Sequence, residues 1–537
     1  MKRIAFLSKV GVILFLFYST LLAQGPDTLW AKTYGGEGTD RTQSARQTTD
    51  NGYIIAGWTN SFGAGNFDVY LIKTDTNGDT LWTKTHGGTD IDIPYSVQQT
   101  MDNGYIIAGY TSSFGAGFAD VYLIKTDALG DTLWTKTYGG TGYEHGRSVQ
   151  QTTDNGYIVA GNTNSFGAGG YDVWLLKTDA LGDTLWTKTY GGAGTEYGYS
   201  VQQTTDNGYI IAGYTNSFGA GGYDVYFIKT DALGDTLWTK TYGGTGTEYG
   251  YSVQQTTDNG YIIAARTTSF GAGGNDVYLI KTDALGDTLW TRTYGGTGTE
   301  YGYSVQQTTD NGYVIAGYTN SFGAGGDDFY VIKTDALGDT LWTRTYGGTG
   351  TEAGWSVQQT TDNGYMIIGS TNSFGAGNYD FWLLRIAGVV DSAPEILTVT
   401  DIPNDQGRWV RITWAASLLD QPGSIMPITQ YGIWRRIDED ARGYLSSEER
   451  SGFVVAGLED ILDGWDAIGS VPAIQDSIYT FVSPTLGDSN AYGIHYSVFM
   501  VTAHTQDPFV WYASEPDSGY SIDNIPPEPP YDLVAEV

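Results

Sequence analysis

Acidic side chains are the residues of this sequence whose type and spacing could do chemistry, because two acids recur in seven copies of one pattern. The first set is Asp40, Asp92, Glu144, Glu196, Glu248, Glu300 and Glu352, and the second set is Asp68, Asp120, Asp172, Asp224, Asp276, Asp328 and Asp380. Carboxylates of this kind could bind calcium, which takes several oxygen ligands. Two of them at a suitable separation could instead hydrolyse a glycosidic bond.

A structural role for these acids is the interpretation that we favour. Each carboxylate could accept backbone N–H groups in a glycine-rich loop, whereas calcium-binding loops place several oxygen donors closer together than this pattern does. A cation also recurs in the strand that the second acid opens, at Lys73, Lys125, Lys177, Lys229, Lys281, Lys333 and Arg385. We expect acid and cation to tie neighbouring strands together. The sequence predicts no metal and no other cofactor, with calcium as the alternative.

The side chains of a catalytic centre are few and scattered. The histidines are His86, His145, His495 and His504, and the chain has no cysteine. A hydrolytic triad needs a base beside its nucleophile, and a histidine metal site needs clustered ligands. Near-identical repeats should present the same side chains around an axis, whereas an active site needs different groups in different roles. We therefore predict a non-enzymatic protein, and an extracellular enzyme acting on polysaccharide is the rival interpretation.

Tyrosines recur in the two long loops of each repeat, which read GGTGTEYGY and TNSFGAGGYD in typical copies. In an antiparallel meander these two connections emerge on one side, and loops on a rigid scaffold commonly carry binding sites. The candidate ligand-binding residues are Tyr197, Tyr249 and Tyr301 from the first loop and Tyr171, Tyr223 and Tyr379 from the second. Their rings could stack on sugars or on an extended peptide, or they could wedge between neighbouring repeats.

The repeat that positions these residues is 52 residues long, which is the distance from Trp30 to Trp82 and between the later tryptophans of the series. Each copy has four runs rich in Val, Ile, Thr, Tyr and Trp separated by Gly, Asn and Asp, a pattern typical of strands joined by turns. A four-stranded meander cannot bury its faces alone, so the copies must stack. The last copy lacks one strand, and the extra strand from Asp27 to Tyr34 could complete it.

The predicted fold is therefore all-β: a seven-bladed β-propeller over residues 27–387 with four-stranded blades, in which the N-terminal strand closes the last blade. The Tyr-Gly-Gly turn, the TTDNGYIIAGYT strand pair and the DVYLIKT strand resemble bacterial extracellular β-propeller repeats of the SBBP type. That resemblance implies the fold and a secreted or surface location, and it brings no catalytic residues. Ala265-Arg266 departs from the Ala-Gly of most copies, and we expect it to distort the inner packing of its blade.

The first 23 residues predict a secretory signal peptide. Lys2 and Arg3 precede an apolar run from Val10 to Leu22 and a small residue at Ala23, and the run is too short for a membrane span. A formal net charge of −33 repels nucleic acid and anionic lipid. We therefore expect a secreted or cell-surface monomer whose partner is an extracellular glycan or protein, and not nucleic acid.

The repeat ends before residue 388, and residues 388–394 read as a linker. Residues 395–522 resemble a fibronectin type III β-sandwich, with Trp414 in the second strand and Tyr496 in the penultimate strand, interrupted by an insert at 438–466. Residues 523–537 resemble the linker and first strand of a further, truncated module. The sequence thus favours an adhesion or binding scaffold with a fibronectin-like spacer, and a structural stalk or coat component is a third interpretation.

Overall fold

The structure is a computed structural model that describes residues 28–388, 394–403, 408–417, 420, 427–436, 465–486, 488–489, 495–505, 511–514 and 516–522. The predicted signal peptide, most of the linker, nearly all of the insert and the last fifteen residues lie outside these ranges. The chain divides into two compact units, Met1–Gly388 and Val389–Val537. The described residues of both units are all-β and contain no helix, so no helix among them could cross a membrane.

Seven four-stranded antiparallel sheets make up the first unit. The first strands are β2 (Asp40–Gln47), β6 (Asp92–Gln99), β10 (Glu144–Gln151), β14 (Glu196–Gln203), β18 (Glu248–Gln255), β22 (Glu300–Gln307) and β26 (Glu352–Gln359). The second strands are β3 (Tyr53–Thr59), β7 (Tyr105–Thr111), β11 (Tyr157–Thr163), β15 (Tyr209–Thr215), β19 (Tyr261–Thr267), β23 (Tyr313–Thr319) and β27 (Tyr365–Thr371).

The outer half of each sheet consists of a third and a fourth strand. The third strands are β4 (Asp68–Thr74), β8 (Asp120–Thr126), β12 (Asp172–Thr178), β16 (Asp224–Thr230), β20 (Asp276–Thr282), β24 (Asp328–Thr334) and β28 (Asp380–Ile386). The fourth strands are β5 (Thr80–His86), β9 (Thr132–Tyr138), β13 (Thr184–Tyr190), β17 (Thr236–Tyr242), β21 (Thr288–Tyr294), β25 (Thr340–Tyr346) and β1 (Thr28–Tyr34). The second and third strands are buried on both faces, while the fourth strands are mostly exposed or half-buried.

The turn between first and second strands follows from an Asp-Asn-Gly sequence. Asn207 has a φ of 64°, and its six equivalents have φ values of 62–66°. Asparagine tolerates this left-handed conformation better than most residues. Asp206 holds the turn, because its Oδ1 accepts a hydrogen bond from the Gly208 N–H at 3.0 Å. The sequence therefore specifies each of these hairpins locally.

The N-terminal strand completes the last sheet, as the sequence predicts. β1 pairs antiparallel with β28, and Ala31 lies opposite Leu384 in the register. The first strands contact one another in a closed cyclic series, in which β2 packs against both β6 and β26. The sheets are therefore arranged around one axis with the first strands innermost, which is a propeller-like architecture.

Hydrogen bonds between neighbouring sheets also run round the whole cycle. A glutamine Oε1 accepts the backbone N–H of the second residue after the first strand of the preceding sheet, at 2.9–3.1 Å in all seven places. The bond from Thr361 to Gln47 is the one that joins the last sheet to the first. Hydrophobic residues fill the space between sheets, as where Ile210 and Phe227 of one sheet pack with Ile263 and Tyr278 of the next.

The repeated cations have partners other than the predicted acids. Lys229 lies on the third strand with its side chain 4% exposed, and its Nζ contacts Asp206 of the Asp-Asn-Gly turn at 2.9 Å. The same Nζ donates to the carbonyl of Thr230 at 2.9 Å. The equivalents pair in the same way, up to Arg385 with Asp362. The expectation that the cations bind the two recurring sets of acids is therefore wrong, because the lysine reaches the turn at its own end of the sheet.

The described residues of the second unit form ten short strands. They are β29 (Glu395–Asp401), β30 (Trp409–Ala415), β31 (Gln430–Arg436), β32 (Trp465–Pro472), β33 (Ile478–Pro484), β34 (Asp488–Ser489), β35 (Ser497–His504), β36 (Trp511–Ala513), β37 (Asp517–Gly519) and β38 (Ser521–Ile522). One sheet has the order β29-β30-β33 and another has the order β32-β31-β35-β36, with β37 also paired to β35, while β34 and β38 pair in parallel.

Aromatic residues form the core of the second unit. Trp414 is fully buried, and its ring stacks on Tyr479 with the ring centroids 5.8 Å apart. Asp420 is buried beside it and accepts hydrogen bonds from the hydroxyls of Tyr431 and Tyr479 at 3.0 and 2.5 Å. Tyr496 was expected in the penultimate strand, but it precedes β35 and is 57% exposed. That expectation is wrong, and Tyr431 of β31 and Tyr479 of β33 are the tyrosines buried beside Trp414.

We predict that Lys229→Met destabilises the first unit by about 1–3 kcal/mol, because it leaves the buried carbonyl of Thr230 without this donor. Lys240→Met is the matched control, since Lys240 pairs with Asp287 at the surface with side chains 35% and 65% exposed, and it should cost at most about 0.5 kcal/mol. Urea unfolding of both variants measures the difference, and equal losses would contradict the buried role of Lys229.

Candidate functional site

A β-bulge in each first strand determines which side chains lie nearest the axis. The pairing of β14 with β15 shifts between Gly198 and Ser200, so Tyr199 has no partner in the ladder. A residue left unpaired in this way is re-aimed relative to its neighbours. The equivalent position in all seven sheets is occupied by Gln43, Tyr95, Arg147, Tyr199, Tyr251, Tyr303 and Trp355. We call these seven residues the inner ring.

Aromatic contacts link consecutive members of the inner ring. Tyr199 meets Tyr251 with ring centroids 5.2 Å apart, Tyr251 meets Tyr303 at 4.8 Å, and Tyr303 meets Trp355 at 4.4 Å. All four are half-buried. The expectation that the repeats present identical groups around the axis is therefore wrong at this level, because the ring also contains a glutamine and an arginine.

The predicted residues Tyr197, Tyr249 and Tyr301 lie two positions before the inner ring, toward the long loops, and are half-buried. Tyr197 stacks on Tyr214 of its own sheet at 5.0 Å, and Tyr214 stacks on Tyr249 of the next sheet at 4.2 Å. These tyrosines therefore contribute to the packing between sheets and to the surface around the axis at the same time.

The predicted tyrosines of the second loop lie beside them. Tyr171 is 5.1 Å from Tyr197, and Tyr223 is 5.4 Å from Tyr249, measured between ring centroids. Their carbonyls, and that of Tyr379, accept the backbone N–H of the first acid of the next sheet at 2.7 Å. Five of the six predicted tyrosines are therefore accounted for by two such pairs and by Tyr301. Tyr379 lies apart from them, where the last sheet meets the first.

Arginines that sequence reasoning passed over lie among these rings. The guanidinium carbon of Arg147 is 4.6 Å from the ring centroids of both Tyr95 and Tyr199. Arg266 lies 4.1 Å from the Tyr249 ring and 4.6 Å from the Tyr301 ring. These are cation–π distances. We call Arg147, Arg266, Tyr197, Tyr199, Tyr214, Tyr249, Tyr251 and Tyr301 the mouth cluster.

A signal for these arginines was present in the sequence. Lys and Arg occupy the first and second strands only at Arg41, Arg46, Arg147 and Arg266, where most other copies have an uncharged residue. Arg266 was expected to distort its sheet, but β19 keeps the same register with β18 and β20 as its equivalents do. That expectation is wrong, because Ala265 fits the core and Arg266 extends over two tyrosines.

The phenols and the imidazole near the axis are uncharged at neutral pH. Burial, and after it the neighbouring phenols, raise the pKa of Tyr197 to about 12, and burial raises the pKa values of Tyr214 and Tyr251 further. Burial, and then the charge of Arg147, lower the pKa of His145 to about 3. Tyr197, Tyr214 and Tyr251 therefore keep their protons, and Arg147 and Arg266 supply the positive charge of this region.

The two recurring sets of acids lie between sheets, beneath the long loops. The first acid is fully buried in every copy and accepts a loop glycine N–H at 2.7–2.9 Å. The second acid is 2–3% exposed, and a glycine lies between its carboxylate and the first acid of the next sheet. For example, a Cβ added to Gly295 would collide with the carboxylates of both Asp276 and Glu300. Burial, and then the charge of Glu300, raise the pKa of Asp276 to about 6.

Metal binding has no further support in the described part of the chain. No group of three or more His, Asp or Glu side chains there is placed to hold a metal ion. The recurring acids meet in pairs, and their oxygens accept hydrogen bonds from loop N–H groups or hydroxyls, as Glu300 does from Gly296 and Thr319.

The known proteins to which the chain is similar are distant from it in sequence. No family model matches the chain. The regulatory protein FlaEY of Caulobacter vibrioides is 25% identical over 388 residues, which is 59% of this chain and 39% of that protein, so the chain spans well under half of that relative's length. The Pan2 WD40 domain of Neurospora crassa is 9% identical with a TM-score of 0.39, and the match covers 67% of this chain and 94% of that domain's chain. YCF48 bound to D1 peptide is 11% identical with a TM-score of 0.39, and the match covers 68% of this chain and 96% of that one.

We predict that Asp276→Asn raises the melting temperature at pH 7 by about 1–2 °C. The folded pKa of Asp276 lies above its ordinary value, so its contribution to stability is full below about pH 4 and is lost as the pH rises through about 6. Asparagine imitates the protonated acid, accepting the loop N–H and donating to Glu300. The gain over the native protein should therefore vanish at pH 4.5.

Asp206→Asn is the control with the opposite sign. Although burial raises its pKa, hydrogen bonds from Thr204 and Lys229 hold the pKa of Asp206 below the ordinary value, so this variant should lose stability at pH 7. Differential scanning calorimetry compares each variant with the native protein at the same pH. The buried histidines, whose lowered pKa values reduce stability on acidification, contribute equally to both proteins, so their effect on the difference in melting temperature cancels. An unchanged or lower melting temperature for Asp276→Asn at pH 7 would contradict the carboxylate pair.

Proposed function

We propose that this chain is a secreted or cell-surface binding protein. Its first unit is a closed seven-bladed β-propeller that binds an extracellular glycan or protein at the mouth cluster, and its second unit is a fibronectin type III-like spacer. The protein acts as a monomer and as an adhesion or binding scaffold without catalytic activity. The observation that carries this proposal is the mouth cluster itself.

Two properties of the mouth cluster favour binding over a purely structural role. Its tyrosines are half-buried, although a tyrosine that only wedged between sheets could be fully buried, as Tyr209 and Tyr313 are at 2%. Its members also differ between sheets, with Arg147 and Arg266 replacing tyrosines, so the cluster is asymmetric in an otherwise regular ring. Aromatic rings with an adjacent polar edge are common in binding surfaces.

The position of the acids supports binding rather than polysaccharide cleavage. A glycosidase needs two carboxyl groups that reach the scissile bond. The paired acids in this chain are 0–3% exposed and lie under the loops. The same pair also recurs in each sheet, which a single active site would not require.

The core of the second unit supports its assignment as a fibronectin type III-like spacer. Trp414 of the second strand is fully buried against Tyr431 and Tyr479, and two antiparallel sheets contribute to the same hydrophobic cluster. Two sheets packed around a tryptophan are typical of fibronectin-like sandwiches.

Glycan and matrix-protein arrays probed with the full chain test the proposal. We predict specific binding to at least one array member, and we predict that replacing Tyr197, Tyr249 and Tyr301 together by Ala lowers the affinity by about tenfold or more. Binding to no array member, together with no cleavage of any polysaccharide, would contradict the proposal and favour a stalk or coat component.

The matched control replaces Leu237, Leu289 and Leu341 by Ala. These leucines lie on the outer strands of the same three sheets, and they are 58%, 58% and 43% exposed. The control should leave the affinity unchanged, and far-UV circular dichroism should show that both triple variants keep the β fold. If the tyrosine variant folds and binds like the control, the ligand does not bind at the mouth cluster.

A further inference from the structure

Buried polar atoms without a protein partner concentrate around the mouth of the axis. Six side chains of the first unit have such an atom at positions equivalent to Tyr197, Tyr199 or Tyr214: Arg41, His145, Asn162, Arg266, Trp355 and Ser370. Buried polar groups are nearly always hydrogen-bonded in folded proteins, so a cluster of exceptions in one place needs a cause. A bound ligand that supplies the missing partners is such a cause.

The unpartnered atoms are chiefly hydrogen-bond donors. The atoms concerned are Nε of Arg41, Nε of Arg266, Nδ2 of Asn162 and Nε1 of Trp355, and each of these groups can only donate. The hydroxyls of Tyr197 and Tyr251 add further donors, since burial raises their pKa values and keeps them protonated. A ligand rich in acceptor oxygens would therefore complement this surface.

The positive charges of Arg147 and Arg266 favour the same kind of ligand as these donors do, namely one with acceptor oxygens. Arg147 donates from Nε to Asn162 at 3.3 Å, and Arg266 donates from Nη1 to Asn275 at 3.2 Å and to the hydroxyl of Tyr301. Neither arginine forms an ion pair with a carboxylate among the residues that the structure describes. An arginine without a carboxylate is unexpected in a chain with 60 acids and 27 bases.

Besides the buried acids that precede Tyr197, Tyr249 and Tyr301, a loop acid lies near the mouth without pairing to these arginines. Asp327 is the equivalent of Tyr223, it is half-buried, and its charge acts on Tyr318. Burial raises the pKa of Asp327. Its negative charge should repel an anion bound near Arg266, so it limits affinity for such a ligand.

We propose that the mouth cluster binds a sugar carboxylate, namely a uronic acid or other acidic sugar at the end of a glycan, through the guanidinium group of Arg147 or that of Arg266. This inference rests on the proposed function and names the ligand class for the same site. Planar guanidinium groups suit carboxylates, and the surrounding tyrosine hydroxyls and rings suit the ring oxygens, hydroxyls and C–H faces of a sugar.

The net charge of the chain favours a single acidic group over a polyanion. A charge of −33 repels a long polyanion along the whole protein surface, whereas charges farther away than about 8 Å are largely screened at physiological ionic strength. A terminal acidic sugar needs only one of the two arginines, while the rest of its glycan remains neutral.

Isothermal titration calorimetry with matched sugars tests the proposal on the full chain. The probes are three acidic oligosaccharides, ending in glucuronate, galacturonate or sialic acid, and the neutral oligosaccharide that corresponds to each. We expect at least one acidic probe to bind at least about tenfold more tightly than its neutral counterpart, since hydrogen bonds to charged groups are the stronger ones. No binding of any acidic probe at concentrations up to about 10 mM would overturn the proposal.

Four variants locate the carboxylate. At least one of Arg147→Gln and Arg266→Gln should weaken binding of the acidic probe by about 10- to 100-fold, and should weaken binding of the neutral probe much less. Arg292→Gln removes the same charge from an outer strand, where Arg292 pairs with Asp339, and should change nothing. Asp327→Asn should strengthen binding of the acidic probe.

The outcomes separate this inference from the function on which it rests. If an array ligand binds at the mouth cluster but is neutral, the acidic-sugar inference is wrong and the binding function stands. The same conclusion holds if a blocked acidic tetrapeptide binds and no acidic sugar does. If both arginine variants keep their melting temperature and bind the acidic probe like the native chain, the carboxylate is not held there. If no ligand of any kind binds, both proposals fail.

Discussion

The pairing of β1 with β28 is the interaction on which the rest of the first unit depends. The backbone ladder from Thr28–Ile386 to Tyr34–Phe381 joins residues more than 340 positions apart in the sequence. Because that sheet is complete, the last sheet can pack against the first, and the seven inner strands surround one axis. Without this pairing β28 would be an unprotected edge strand, which is a hazard for aggregation, and the residues of the mouth cluster would have no common centre.

The repeats are almost identical where they maintain the ring, and they differ where they surround the axis. The glutamine Oε1 bonds, the buried acid pairs and the contacts of Lys229 and its equivalents recur from sheet to sheet. At the positions of Tyr197, Tyr199 and Tyr214 the copies instead have tyrosine, tryptophan, histidine, asparagine, glutamine, serine, isoleucine, alanine or arginine. A ring needs each interface to be the same, whereas a binding site needs different groups in different places. The residues that join the sheets and the residues that surround the axis therefore occupy different positions along the same strands.

Much of the fold could be predicted from the sequence because its determinants are local. The Asp-Asn-Gly turns and the period of 52 residues specify the sheets, and the surplus strand at one end matches the deficit at the other. The inner ring could not be predicted in this way, because the bulge after Gly198 changes the direction of Tyr199 relative to simple alternation. The partner of Lys229 was also missed, since it depends on how the side chain crosses to the neighbouring turn. The burial of Tyr479 instead of Tyr496 depends on tertiary packing around Trp414.

Closure can be measured directly with a disulfide, because the chain has no cysteine of its own. Ala31 and Leu384 face each other across β1 and β28, and directly opposed residues of an antiparallel pair have Cα atoms within reach of a disulfide. Thr187 and Leu176 are the equivalent residues within a single sheet and provide the control. After oxidation of the double cysteine variants, monomers of both should lose their free thiols in a thiol titration. Free thiols at positions 31 and 384 beside a complete 176–187 disulfide would contradict the closed ring.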